Sequence, residues 1–186
     1  MPKIVDHDQY RKELLMKSFD LFAQKGYSSI TMRQLAQEVG VSTGTLYHYF
    51  PSKEALFLQL VEELTQQDIL NFLAEAGNPP TLAERIETLF NFIAKNEDYF
   101  GKQTLLWVDF HQQNPSELMN NETLKQADEQ SIQAIADYLR ISDRALVDYV
   151  LNLLYGLLLR RIFGDKTLSF KQQGTLLSKM LTAYLD

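Results

Sequence analysis

Cysteine is absent from the 186 residues, which excludes disulfides, thiolate metal ligands and cysteine nucleophiles and suits a reducing compartment. Histidine is scarce. His7, His48 and His111 sit in distant segments without acidic neighbours at ligand spacing, which argues against a metal site. His111 lies two residues from Asp109, but such neighbours face different ways on a helix and no nucleophile motif accompanies them. No catalytic residues, no metal and no cofactor are therefore expected. Long apolar runs are missing too: VLNLLYGLLL at 150–159 is interrupted by Asn152 and stopped by Arg160 and Arg161, short of the roughly 18 residues a membrane span needs. The opening MPKIVDHDQYRK has no apolar core of the signal-peptide kind, so a cytoplasmic protein with no membrane partner is expected.

Alternation of apolar and polar residues over strand length is also lacking, and helical periodicity fills the chain instead, so the expected class is all-α. With 45% hydrophobic residues the chain can bury a core of its own. The net charge of −6 is unevenly spread: residues 1–60 hold seven Lys and Arg against six Asp and Glu, whereas 61–186 hold eleven against eighteen. The nearly neutral N-terminal part can approach a polyanion that the acidic remainder would repel.

The spacing predicts a first helix over about 8–25, with Leu15, Phe19 and Phe22 on one stripe and Gly26 as a left-handed C-cap. Thr31 and Gln34 form a capping box for a second helix, which Gly40 ends. Ser42 caps a third, which must stop by Tyr49 or Phe50 because Pro51 follows. A fourth begins after Ser52 and runs to about 72 as a connector. The break AGNPP at 76–80 precedes helices over about 82–97, 99–113, 121–140, 143–163 and 170–185, with Thr81/Glu84 and Ser169/Gln172 as further capping boxes.

Two short helices around a glycine turn, supported by a longer one, outline a helix-turn-helix. Leu35, Ala36 and Val39 form the inward face of the first, Leu46 and Phe50 that of the second. Gly44, Thr45 and His48 then project outward, with Tyr47 and Tyr49 on the flanks. Such a surface suits a DNA groove. Thr45 and Tyr47 can donate to bases or phosphates, Gly44 admits close backbone approach, and His48 and Tyr49 can reach phosphate oxygens. Lys53 and Arg33 could complete a phosphate clamp, or Arg33 could reach a guanine. The competing reading of Tyr47, His48 and Tyr49 is plain packing of a small helical domain.

The run LFAQKGYSSITMRQLAQEVGVSTGTLYHYFPSKEALF resembles the DNA-binding segment of the TetR family of bacterial transcriptional regulators. The likeness lies in Phe-x-x-x-Gly-Tyr, Leu-Ala-x-x-x-Gly-Val, Gly-Thr-Leu-Tyr-x-Tyr-Phe and Ser-Lys-Glu-x-Leu, over about residues 10–60. It implies that Thr31 and Lys53 contact phosphates, that Arg33, Ser42, Thr43 and Thr45 lie at the DNA surface, and that Tyr47 and Tyr49 anchor the recognition helix, with His48 at a variable position. It implies a DNA-binding domain over 1–55 and an effector-binding and dimerisation domain over 56–186. It also implies a homodimer, built on the last two helices, on a palindromic double-stranded operator.

For the dimer face the expected residues are Leu146, Tyr149, Val150, Leu153, Leu154, Gly156 and Leu157. A small-molecule effector is expected in the second domain, with Phe92, Phe100, Trp107, Phe110, Met119 and Tyr155 as its candidate lining, although for each one taken singly plain core packing is the favoured reading. Two other readings remain: a DNA-binding regulator controlled by a protein partner or by abundance, and a helical small-molecule-binding protein or enzyme sharing the N-terminal pattern. Salt-dependent retention on a palindromic fragment separates these.

Overall fold

The computed structural model describes residues 6–113 and 121–185, and among them there are nine helices and no strand. Helix α1 (His7–Lys25) is capped by Asp6, whose Oδ1 accepts the N–H groups of Asp8 and Gln9, and it buries Leu14, Leu15, Phe19 and Phe22. Its end differs from the left-handed cap expected at Gly26. That residue has φ 83° and ψ 149°, positive but extended, and a Cβ there would stand 3.0 Å from Asp109 Oδ2, so both backbone and space demand glycine.

Helix α2 (Met32–Val39) carries the Thr31/Gln34 capping box in both directions and ends at Gly40, which is left-handed at φ 82° and ψ 32°. Helix α3 (Thr43–Tyr49) starts on Ser42, whose hydroxyl accepts the Thr45 N–H at 2.9 Å. There follow α4 (Lys53–Ala76), α5 (Leu82–Lys95), α6 (Glu97–Gln113), α7 (Glu122–Leu139), α8 (Arg144–Ile162) and α9 (Phe170–Leu185).

Compactness divides the chain differently from the functional boundary expected after residue 55. One unit gathers the described residues of 1–66 and 105–127, the other those of 67–104 and 128–186. Aromatic packing draws 105–113 into the first unit: Phe110 stacks on Phe57 at 3.9 Å and meets Tyr27 edge-on at 4.9 Å, while Trp107 meets Phe57 at 5.9 Å. Phe110, expected to line an effector pocket, is thus buried in the core of the first unit, and half-buried Trp107, expected beside it, packs against Phe57 there. Met119, expected beside them, lies outside the described residues.

In the second unit Phe90 and Ile86 are fully buried, and α9 packs along α5 so closely that a Cβ at Gly174 would stand 2.9 Å from Phe90. Arg85 is buried as well, and its guanidinium donates to the carbonyls of Leu139, Pro79 and Pro80, which ties down the loop before α5. Leucines surround α8 on most sides, and the structure sorts them. Val150, Leu154 and Leu157, expected at a dimer face, are buried in this core, with Leu146 and Leu153 packed partly against it. Among the residues left facing out are Tyr149, Tyr155, Gly156 and Phe163 on and after α8, and Leu176, Met180, Tyr184 and Leu185 on α9.

Candidate functional site

Burial of Leu46 and Phe50 fixes which way α3 faces. Phe50 leaves the helix at φ −136° and ψ 104°, as a residue before proline prefers, and its ring enters the core all the same. Ser42, Gly44, Tyr47 and His48 are exposed, while Thr43, Thr45 and Tyr49 are half-buried. Thr45 Oγ1 and Ser42 Oγ are 2.7 Å apart, so the two hydroxyls at the start of α3 share a hydrogen bond.

The three ring-bearing neighbours on α3 separate clearly. Tyr47 is 49% exposed, with no hydrogen bond or ring contact among the described residues. Tyr49, whose hydroxyl was expected to be open to DNA, is instead engaged: its oxygen is 2.7 Å from Nδ1 of His7, and Tyr10 meets its ring edge-on at 5.5 Å. His48 packs edge-on against the Tyr49 ring at 5.3 Å.

Around them, Arg33 is exposed and unpaired among the described residues. Thr31 is exposed, but its hydroxyl serves the capping box, accepting from the Gln34 amide and donating to Gln34 Oε1 at 2.8 Å. Lys53, expected at a phosphate, turns inward. Its Nζ donates to the carbonyls of Tyr27 at 2.9 Å and Ile30 at 3.1 Å and stands 4.2 Å above the Tyr27 ring. Burial lowers its pKa, with the Asp109 charge acting the other way. Lys53 therefore secures the turn between α1 and α2. Lys53→Met is expected to leave two carbonyls without this donor and to cost about 1–3 kcal/mol, several degrees in Tm. A thermal melt checks this, since a side chain that only touched phosphate would leave Tm unmoved.

Asp109 was not singled out for this region. Its Oδ2 accepts the Ser28 N–H at 3.1 Å, so α6 holds the same turn that Lys53 holds from α4. Nothing local in the sequence announces a contact across that separation; only the Phe-x-x-x-Gly-Tyr run hinted at a shaped turn here.

In the second unit a polar group sits among aromatics. Asp68 of α4 accepts the Tyr99 hydroxyl at 2.7 Å and the Gln103 amide at 2.9 Å, and burial pushes its carboxyl above the usual carboxylate range despite both bonds. Tyr99 adjoins Phe100, which meets Phe92 at 6.0 Å. The Tyr155 phenol is raised by burial first and then by the charges of Asp128 and Asp68. Of the residues expected at an effector site, Phe100 and through it Phe92 thus adjoin the Asp68 group, whereas Tyr155 is 50% exposed and makes no hydrogen bond or ring contact with it among the described residues. A groove of about 560 Å³ open to solvent lies elsewhere, between Ile132, Ala136, Arg140, Ile141, Arg144 and Val147, and none of the expected lining residues borders it.

Residues 14–60 match the model of the bacterial regulatory proteins of the tetR family. The HTH-type transcriptional regulator YuxN of Bacillus subtilis is 34% identical over 96 residues, 50% of this chain and 33% of that protein. The HTH-type transcriptional regulator BetI of Brucella anthropi is 32% identical over 114 residues, 60% of this chain and 57% of its own. The chain thus spans between a third and just over half of the length of these curated relatives. The transcriptional regulator FadR of Bacillus subtilis, solved in complex with stearoyl-CoA, shares the fold with a TM-score of 0.69 at 17% identity, over 91% of this chain and 96% of that one.

Proposed function

We propose that the chain, whose residues 14–60 match the tetR family of bacterial regulatory proteins, is a dimeric DNA-binding transcriptional repressor of the cytoplasm, released from a palindromic operator by a small molecule. The observation that carries this reading is α3 itself: Leu46 is fully buried, while Tyr47, unpaired, stands out beside exposed Gly44 and His48. A two-fold dimer places two such helices in successive major grooves about 34–36 Å apart. Selection of bound fragments from a random DNA pool tests it. A palindromic site whose affinity falls steeply with salt is the expected result, and enrichment of no sequence would overturn the proposal.

The second copy is proposed to cover Tyr149, Gly156 and Phe163 together with Leu176, Met180 and Tyr184. Spacings of seven in the first set and four in the second put the members of each set on one side of their helix. The double substitution Leu176→Glu and Met180→Glu is expected to yield a folded monomer with weakened operator binding, read by sedimentation and circular dichroism. Val150→Glu, in contrast, places a charge in the protomer core and should unfold it.

For the effector, the support is the Asp68 group, whose hydrogen-bonding side chains Tyr99 and Gln103 lie on α6. The same helix carries Asp109, which holds Ser28. A ligand binding differently to two positions of α6 would therefore bias the turn that leads into α2, and one binding both equally would change nothing. The complex of FadR with stearoyl-CoA is consistent with small-molecule control in this fold.

A further inference from the structure

Tyr49 is the last residue of α3, and the backbone departs from helical geometry immediately after it, at Phe50. A side chain at a frayed terminus keeps its direction only if something outside the helix holds it. Here α1 does so. His7 opens α1, on the turn that Asp6 caps, and its Nδ1 lies 2.7 Å from the Tyr49 hydroxyl oxygen with the two rings tilted at 36°. Tyr10, one turn further along α1, supports the same ring at 64°. Tyr47, two residues earlier on α3, has no such support among the described residues. The recognition helix thus presents one anchored phenol and one loose one.

We infer that His7 is a positioning residue for DNA binding: its Nδ1–H donates to the Tyr49 oxygen, and the Tyr49 hydroxyl proton is thereby directed outward to a backbone phosphate oxygen. The inference rests on the DNA-binding reading above. The order of donors follows from the acceptor. A phosphate offers no proton, so the tyrosine must donate to it, and the tyrosine oxygen is then free to accept from His7. Hydrogen bonds in such a chain polarise each other, and the one ending on an anion is charge-assisted. The role belongs to backbone positioning, so it should act on every DNA sequence alike and leave base preference to Tyr47 and Arg33.

The test uses the full chain and the site selected from the random pool. His7→Phe keeps a ring but removes the donor, and is expected to weaken operator binding about fivefold to tenfold with Tm unchanged. His7→Asn places an amide donor near the former Nδ1 and is expected to restore most of the affinity. Tyr49→Phe, which removes the donor to phosphate itself, should lose at least as much as His7→Phe, and the double variant no more than Tyr49→Phe alone, because His7 acts only through that hydroxyl. Additive losses would overturn the inference, as would failure of His7→Asn to rescue or wild-type affinity in His7→Phe. A salt slope lower by about one in His7→Phe would also overturn it, since that marks a direct cationic contact with phosphate. If the wild-type chain selects no site at all, the DNA-binding reading fails instead, and the two failures are told apart.

Discussion

Operator affinity is expected to fall about tenfold to a hundredfold in Tyr47→Ala, with helix content, Tm and dimerisation unchanged. The size of the loss is that of one good contact to a base edge, about 1–3 kcal/mol. The selectivity of the loss follows from burial. Leu46 and Phe50 carry the packing of α3 and are fully buried, whereas Tyr47 is 49% exposed and makes no hydrogen bond or ring contact among the described residues. Fluorescence anisotropy at fixed salt, on the selected site and on a scrambled one, measures both the loss and its sequence dependence. Tyr47→Phe refines the answer. Retained affinity would mean that the ring packs against a thymine methyl or a sugar, and a loss equal to that of alanine would assign the effect to the hydroxyl. Equal affinity of Tyr47→Ala and wild type for the selected site would remove α3 from the reading of bases.

What could be foreseen in this site and what could not separate by distance along the chain. The capping boxes at Thr31/Gln34 and Thr81/Glu84 are closed between residues three apart, and both form as expected. The end of α2 at Gly40 and the burial of Leu46 with Phe50 are equally local. Contacts that need the folded chain escaped: Tyr49 to His7 across 42 residues, Lys53 to Tyr27 across 26, and Asp109 to Ser28 across 81. The first two engage polar groups that were expected to be available. Lys53 and the Tyr49 hydroxyl were expected at DNA, and both are held by the protein.

Helix α8 shows a different limit. Its apolar residues occupy most of its circumference, so periodicity could not say which stripe was core, and Val150, Leu154 and Leu157 were expected outside although they lie within. The outward stripe is marked by tyrosine and glycine rather than leucine. Aromatic residues of α6 posed the same difficulty. Trp107 and Phe110 have the character of pocket lining, but their partners Phe57 and Tyr27 come from segments at least fifty residues earlier.

Those partners set the largest stability effect in the first unit. Phe57→Ala is expected to destabilise the chain by about 3–5 kcal/mol, a large fraction of the roughly 5–15 kcal/mol that holds a typical domain together. Phe57 is 1% exposed and its ring lies at the centre of four others: stacked on Phe110, and edge-on to Tyr27 at 5.3 Å, Trp107 at 5.9 Å and Phe22 at 6.4 Å. Truncation removes the transfer energy of the ring, leaves a cavity that four aromatic side chains cannot readily fill, and forfeits edge and stacking contacts worth about 0.5–1.5 kcal/mol each. Tyr27 would lose its position as well, and with it the carbonyl and ring on which Lys53 rests. The turn into α2 should therefore loosen before the chain unfolds, so operator binding in Phe57→Ala is expected to decline at temperatures below its own Tm, unlike that of Tyr47→Ala. Urea midpoints for Phe57→Ala and Phe57→Leu measure the first claim, with leucine expected to recover more than half of the loss. A midpoint for Phe57→Ala close to that of wild type would show that the aromatic cluster does not stabilise this unit.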